Sequence, residues 1–356
     1  MPRDISSIDK NLKVVCGFDK PDLRLYDVRQ EPFRIYGLYH PETESAFIRM
    51  PQEIADKVNP GVSDLVRNTA GGRLRFRTDS CYVALKAVMP SVCHLPHMPL
   101  TGTSGFDLYL CENGQAQFYK SFVPPMEMEN GYESIIEFPD NRSRDILIHF
   151  PLYNEVTSLY IGIQETASLE PGGEYKYQKP ILYYGSSITQ GGCASRPGNS
   201  YQSIISRRFD CDHMNFGFSG SARGETVMME YLAKLDFSIF VMDYDHNAPN
   251  VEHLQATYKP AYEIIRKSNP DKPIVMISKP DTDFNDKNTI NRRSTIYSVY
   301  MEAIASGDEN VYFIDGYSLF GGENRDCCTV DSCHPNDLGF CRMADAIGTV
   351  IGRLLS

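Results

Sequence analysis

At 356 residues the chain is longer than one hydrophobic core usually grows, and it is expected to form about two domains. With 42% hydrophobic and 23% charged residues and no low-complexity tract, it is not a mainly disordered chain. A formal net charge of -11 without any basic block excludes the electrostatics of a nucleic-acid binder or of a protein held on an anionic membrane.

Residues Met1 to Ser7 show no basic start followed by an apolar run, and no stretch approaches the ~20 apolar residues of a membrane span. A cytoplasmic protein with no membrane partner is expected. Ten cysteines are scattered without a framework. Cys327, Cys328 and Cys333 lie close together, but no second pair with metal-ligand spacing accompanies them. Free thiols, no metal site and no cofactor are therefore expected.

Up to about Glu170 the pattern is one of strands and turns. A short helix is expected near Gln52 to Val58. Arg73 to Arg77 alternates charge with apolar residues, as a half-buried strand does. Phe106–Cys111 and Gln117–Phe122 flank Asn113-Gly114, a strong signal for a tight hairpin. Ile146, Ile148 and Phe150 alternate, as do Leu159, Ile161 and Ile163. Many short strands at this spacing predict an antiparallel, jelly-roll-like β-sandwich over residues 1–175. An exposed sandwich edge could pair subunits into a homo-oligomer. Glu170-Pro171-Gly172-Gly173-Glu174 reads as the linker.

Residues 176–356 alternate strand with helix. Short apolar runs at Ile181–Tyr184, Met214–Phe216, Phe237–Asp243, Pro273–Ser278 and Val311–Asp315 read as buried strands. One helix is expected to carry Tyr201, Ile204, Ile205 and Phe209 on its inner face, and another Val227, Met228, Tyr231, Leu232 and Leu235. The last helix is expected to bury a stripe of Leu338, Cys341, Ile347, Ile351 and Leu354. Together these predict a five-stranded parallel sheet of flavodoxin-like order inside an α/β/α sandwich, with chemistry in the loops at the strands' carboxyl ends.

Four such loops carry reactive or polar residues. The first is Gly185-Ser186-Ser187-Ile188-Thr189-Gln190-Gly191, where a serine opens a helix. It is not the G-x-S-x-G elbow, since Thr189 stands where the second glycine would be. The second holds Gly217 and Gly220, and the third Asp245-His246-Asn247. The fourth, before the last helix, spaces Asp331 and His334 so that one carboxylate can orient one imidazole. With these blocks in this order, the C-terminal half resembles the SGNH (GDSL) hydrolases. The resemblance implies Ser187 as nucleophile, His334 as general base and Asp331 as its orienting partner. It also implies an oxyanion hole from Ser187, Gly220 and Asn247. The sequence departs from the family at Ser186, where aspartate is usual, and at Asp245, where glycine is commoner.

Gly105-Phe106-Asp107-Leu108-Tyr109 further resembles the G-x-D-L-Y signature of a β-rich domain that precedes such hydrolases in a bacterial subfamily. The resemblance implies a carbohydrate acetylesterase acting on an acylated oligosaccharide. Arg196, Asp107, Tyr109 and His246 are candidate substrate contacts. A lysophospholipase or acyl-thioesterase is the alternative within the superfamily, and a catalytically silent sugar binder is the alternative outside enzymes.

Overall fold

The computed structural model describes residues 7–9, 13–14, 16–280 and 287–356. Residues 1–6, on which the expectation of no leader mainly rests, lie outside the described residues. Strands β1 (Leu23–Asp27) to β10 (Leu169–Pro171) build two antiparallel sheets. Between these ends run β2 (Arg34–Tyr36), β3 (Arg73–Thr78), β4 (Tyr82–Val88), β5 (Phe106–Glu112) and β6 (Gln115–Phe122). They are followed by β7 (Gly131–Glu137), β8 (Arg144–His149) and β9 (Ser158–Gln164). One sheet has the order β1-β9-β4-β7 and the other β10-β3-β8-β5-β6, with β2 also on β3. Their facing apolar residues, among them Phe76, Leu85, Phe106, Leu108, Ile148 and Ile161, fill one core. Asn113 and Gly114 both take positive φ at the β5–β6 turn, the geometry that a two-residue hairpin needs. The expected linker begins as strand, because β10 pairs with the edge of β3.

The C-terminal part is a parallel sheet of β11 (Tyr177–Gly185), β12 (Cys211–Gly217), β13 (Ile239–Asp243), β14 (Ile274–Ile277) and β15 (Val311–Ile314), in the order β12-β11-β13-β14-β15. Strand alternation sorts its side chains to two faces. Leu182, Tyr184, Phe240, Met242 and Met276 enter one core, and Ile181, Tyr183, Val241, Val275 and Ile277 the other.

The helices divide between these layers. In the N-terminal part lie α1 (Gln52–Val58), α2 (Pro60–Leu65) and α3 (Leu100–Thr103). In the C-terminal part lie α4 (Ser187–Gln190), α5 (Tyr201–Phe209), α6 (Thr226–Leu232), α7 (Val251–Ser268), α8 (Lys287–Ala305) and α9 (Asp337–Leu355). Helices α6, α7 and α8 cover one face of the parallel sheet, and α5 with α9 covers the other. No helix among the described residues is long and apolar enough to cross a membrane.

Two expectations are corrected. The inner stripe of α9 is Phe340, Met343, Ala344, Ile347 and Ile351, whereas Leu338 is 41% exposed and Cys341 is exposed. Ile347 and Ile351 are common to both stripes; the first turn differs because Asn336 caps the helix through the Leu338 and Gly339 amides, and Phe340, Met343 and Ala344 continue the 3–4 spacing that ends at Ile347 and Ile351. The arginine face of β3 is also solvated only at its end, at Arg77. Arg73 and Arg75 are buried because that face meets the C-terminal part. Arg73 bonds the His213 carbonyl at 2.8 Å and pairs with Asp212 at 2.5 Å, while Arg75 lies 3.8 Å over the Tyr175 ring.

The halves are thus packed through polar as well as apolar contacts. Met50, Ala55, Val62 and Val66 join one core of the parallel-sheet layer, and Met98, Leu152 and Tyr153 join the other. Arg49 is fully desolvated, and its guanidinium donates to the carbonyls of Leu65, Asn215 and Gly217. Burial pulls its pKa down to about 9.

Candidate functional site

Strand β11 ends at Gly185, and the chain turns at once into α4. Ser186 caps that helix by accepting the Ile188 amide at 3.1 Å, leaving Ser187 as its first residue. Ser187 is 9% exposed. Its Oγ lies 2.9 Å from His334 Nε2, and His334 Nδ1 lies 2.7 Å from Asp331 Oδ2. The other Asp331 oxygen accepts the backbone amides of His334 at 2.7 Å and Cys333 at 3.1 Å. These bonds, set in the turn before α9, fix the carboxylate and so the ring it holds. Partial burial alone would raise the Asp331 pKa, but the His334 amide and ring pull it down to about 2. The carboxylate therefore takes the Nδ1 proton in a hydrogen bond and leaves the Nε2 lone pair facing the serine.

Two further loops are tied to α4 and to each other. Asn247, in a short turn after β13, is 9% exposed and donates through Nδ2 to the Phe218 carbonyl at 2.8 Å. Gly220 sits in that loop at φ +64°, and a Cβ there would meet open space, so backbone conformation alone calls for glycine. Ser219 N donates to Gln190 Oε1 at 3.0 Å, tying the loop to α4. Beneath them Asp243, the last residue of β13, accepts Tyr201 Oη at 2.9 Å and Thr189 Oγ1 at 3.0 Å. Burial pushes its pKa up to about 6. His246 is half-buried, with Nδ1 3.8 Å from Cys333 Sγ.

Asp107, Tyr109 and Arg196 do come together, but as a buried clamp rather than as a substrate surface. Asp107 is 0% exposed and Tyr109 2%. Asp107 Oδ2 takes Arg196 Nη1 at 3.0 Å and the Gly198 amide at 2.9 Å, while Oδ1 lies 3.0 Å from His149 Nδ1. Burial opposes the Asp107 charge, but His149 and Arg196 outweigh it and hold the carboxyl below its usual range. His149 itself is kept neutral by burial, its pKa drawn down to about 4. Arg196 also bonds Tyr109 Oη and stacks 3.8 Å over Phe118. A side chain at Gly198 would press into Tyr109 Oη and Asp107 Oδ2, so this loop can sit on the clamp only as glycine. The polar groups of these three side chains bond one another, and they anchor the loop that follows α4 to the sandwich.

Sequence reasoning missed the N-terminal contributions. Tyr153 Oη donates to the Ser187 carbonyl at 3.3 Å, and Gln190 Nε2 donates to the Leu152 carbonyl at 3.2 Å. His97 lies with its ring centroid 5.8 Å from that of His334. No local signal marks these residues, since each lies at least 34 positions from its partner. All ten cysteines are free. Cys327 is exposed, Cys328 is buried with Sγ 3.9 Å from the Phe320 carbonyl, and Cys333 faces His246. Cys193 is 5% exposed, and burial, with Asp331 and Cys333 nearby, pushes its thiol up to about 12. It is therefore no nucleophile at neutral pH.

Two family models match the chain. Residues 178–352 match the GDSL-like lipase/acylhydrolase family, and residues 23–169 match the N-terminal domain of SGNH-hydrolase-type esterases, the GxDLY model. No curated protein sequence matches. Among solved structures, a Bacteroides ovatus protein assigned as a GDSL-like lipase is similar at 28% identity and TM-score 0.85, covering 94% of this chain and 98% of its own. A salicylyl-acyltransferase from a tetracycline biosynthetic pathway shares the fold at 18% identity and TM-score 0.76, covering 94% and 98%. So does an acetyl xylan esterase from the rumen bacterium Butyrivibrio proteoclasticus, at 12% identity and TM-score 0.58 over 94% and 98%. Residues 178–352 belong to the GDSL-like lipase/acylhydrolase family, joined to the N-terminal domain of SGNH-hydrolase-type esterases, and the chain is an ester hydrolase.

Proposed function

We propose that this hydrolase is a serine esterase that removes small acyl groups, acetyl first, from a carbohydrate. The observation that carries the reading is the unbroken hydrogen-bond chain from Ser187 Oγ through His334 to Asp331, at 2.9 and 2.7 Å. His334 takes the Ser187 proton as Oγ attacks the ester carbonyl, and Asp331 holds the ring and balances the imidazolium that forms. The tetrahedral oxyanion is received by the backbone N–H groups of Ser187 and Gly220 and by the Asn247 amide. His334 returns the proton to the departing alcohol, leaving the acyl group on Ser187. Water, deprotonated by the same imidazole, then attacks that acyl group, and its release restores the serine.

Two features support a small acyl group on a polar alcohol. Ser219 is tied to Gln190 of α4, Asn247 to the Phe218 carbonyl, and His246 lies beside Cys333, the neighbour of His334, so the loops next to the serine bring hydrogen-bonding groups, and His246 remains a candidate contact to the alcohol part. The same two-part architecture carries the Butyrivibrio acetyl xylan esterase, which makes an acetylated xylo-oligosaccharide the natural first substrate.

The test is hydrolysis of p-nitrophenyl acetate, p-nitrophenyl octanoate and an acetylated xylo-oligosaccharide by the wild type and Ser187→Ala. The wild type is expected to prefer both acetates, and the variant to lose at least about 10⁴-fold in kcat. Octanoate as the better substrate would replace the sugar reading with a lipase or thioesterase. Equal rates in both proteins would overturn the serine mechanism and leave a silent binder.

A further inference from the structure

Beside the serine, three side chains from three distant segments converge on one point. They are His97 from the sandwich, Cys193 from the loop after α4, and the His334 imidazole. Their ligand atoms all lie within 4.8 Å of one another. This is the one group of three potential metal ligands found among the described residues. The loops that carry it are pinned together. Met98, next to His97, is 5% exposed, and its Sδ accepts the Cys193 amide at 3.4 Å.

We infer that His97, Cys193 and His334 form an inhibitory binding site for zinc or a similar thiophilic divalent ion. The donor set is two imidazoles and one sulfur with no carboxylate, which suits zinc and disfavours calcium or magnesium. Bonds of about 2.3 Å to sulfur and about 2.0 Å to nitrogen place tetrahedral ligand atoms about 3.5 Å apart. The three atoms must therefore draw together somewhat, and His97, whose ring is exposed, is free to turn inward. The fourth position is left to water, as in open zinc sites.

The Asp331–His334 pair already has the arrangement of a carboxylate that orients a metal-binding imidazole through its other nitrogen. The Nε2 lone pair that would bind the ion is the one that Ser187 uses. Binding expels the Cys193 thiol proton to solvent, and thiolate plus Asp331 carboxylate then balance the two charges of the ion. With Nε2 occupied, the serine has no base and hydrolysis stops. The binding claim stands on geometry alone; the inhibition rests on the serine-esterase reading.

The experiment is a cobalt(II) chloride titration followed by the thiolate-to-cobalt absorption band, together with zinc chloride inhibition of p-nitrophenyl acetate hydrolysis. Wild type, Cys193→Ser and His97→Ala are compared. The wild type is expected to show the band and to lose its activity to zinc reversibly, with EDTA restoring it. The band should vanish in Cys193→Ser. Losing even an outer-sphere partner weakens metal binding about 10- to 100-fold, so each variant should need at least about tenfold more zinc for the same inhibition. Both variants should hydrolyse the ester as the wild type does when no metal is present. A band that survives in Cys193→Ser would place the ion on other thiols and overturn the site, as would equal zinc sensitivity in all three proteins. If the wild type proves not to hydrolyse the ester at all, the cobalt titration still decides the binding claim by itself.

Discussion

Replacing Asp107 by alanine removes a fully buried carboxylate and strands three partners at once: the Arg196 guanidinium, the Gly198 amide and the His149 ring. Breaking a buried ion pair from one side costs about 3–5 kcal/mol, because the surviving charge loses its partner without regaining water. The Arg196 side chain keeps 21% exposure, so water recovers part of this and the lower end, about 3 kcal/mol, applies. The orphaned Gly198 amide adds about 1 kcal/mol. With a urea slope of about 3 kcal/mol per molar for a chain of this size, the unfolding midpoint should fall by about 1 M. The chain has no Trp, so far-UV circular dichroism is the suitable probe. Because the stranded loop follows directly on α4, kcat for p-nitrophenyl acetate should fall together with stability. On an Arg196→Met background the same replacement should cost about 2 kcal/mol less, since the two side chains act as one unit. An unchanged urea midpoint with a raised KM would refute the clamp and return Asp107 to the substrate surface.

Asn247→Ala should lower kcat about 10²–10³-fold with little change in KM, as expected on losing one donor to the oxyanion; a pure KM effect in steady-state kinetics would move Asn247 out of that role. Arg49→Met leaves the carbonyls of Leu65, Asn215 and Gly217 without their buried donor and should destabilise the chain by about 2–4 kcal/mol in urea unfolding. An unchanged midpoint would mean that this guanidinium does not hold the loop. Asp243 gives a pH signature. Its folded pKa of about 6 lies above the ordinary aspartate value of 3.8, so the folded state holds a proton that the unfolded state releases between those values. The stability this group contributes is fully present below about pH 4 and is lost as pH rises through about 6. At about 1.4 kcal/mol per pH unit, the wild type should lose about 3 kcal/mol relative to Asp243→Asn between pH 4 and pH 8. Parallel stability curves for the two proteins would show that the carboxylate is not desolvated as described.

The order of elements and the loops that carry reactive groups were legible along the chain, because both are written in short-range patterns. Alternation at Ile146, Ile148 and Phe150 marks β8, and the short apolar run at Ile181–Tyr184 marks the core of β11. Asp331 and His334 are three positions apart in one turn, so their meeting needs little more than local geometry. Helices α7 and α8 were less legible. The mean hydropathy of both is slightly negative, and their inward residues, such as Leu254, Ile265 and Ile296, are spaced among many charged ones.

The sequence by itself determined that a β-rich half precedes a parallel α/β half, and that a serine opens a helix at the end of the first parallel strand. Only the tertiary structure decided what the polar residues between those halves do. Arg73 and Arg75 alternate like solvent-facing residues, yet that face is the seam on which the C-terminal part docks. Asp107 and Tyr109 look like hairpin side chains available to a ligand, yet Arg196, 89 positions after Asp107, closes over them. His97 and Cys193 carry no motif until Met98 fastens their loops together. The physical reason is the same in each case. Periodicity and turn chemistry act over a few residues and survive in any context. The role of a buried polar group depends on which partner desolvates it, and that partner is chosen by packing between segments far apart in the chain.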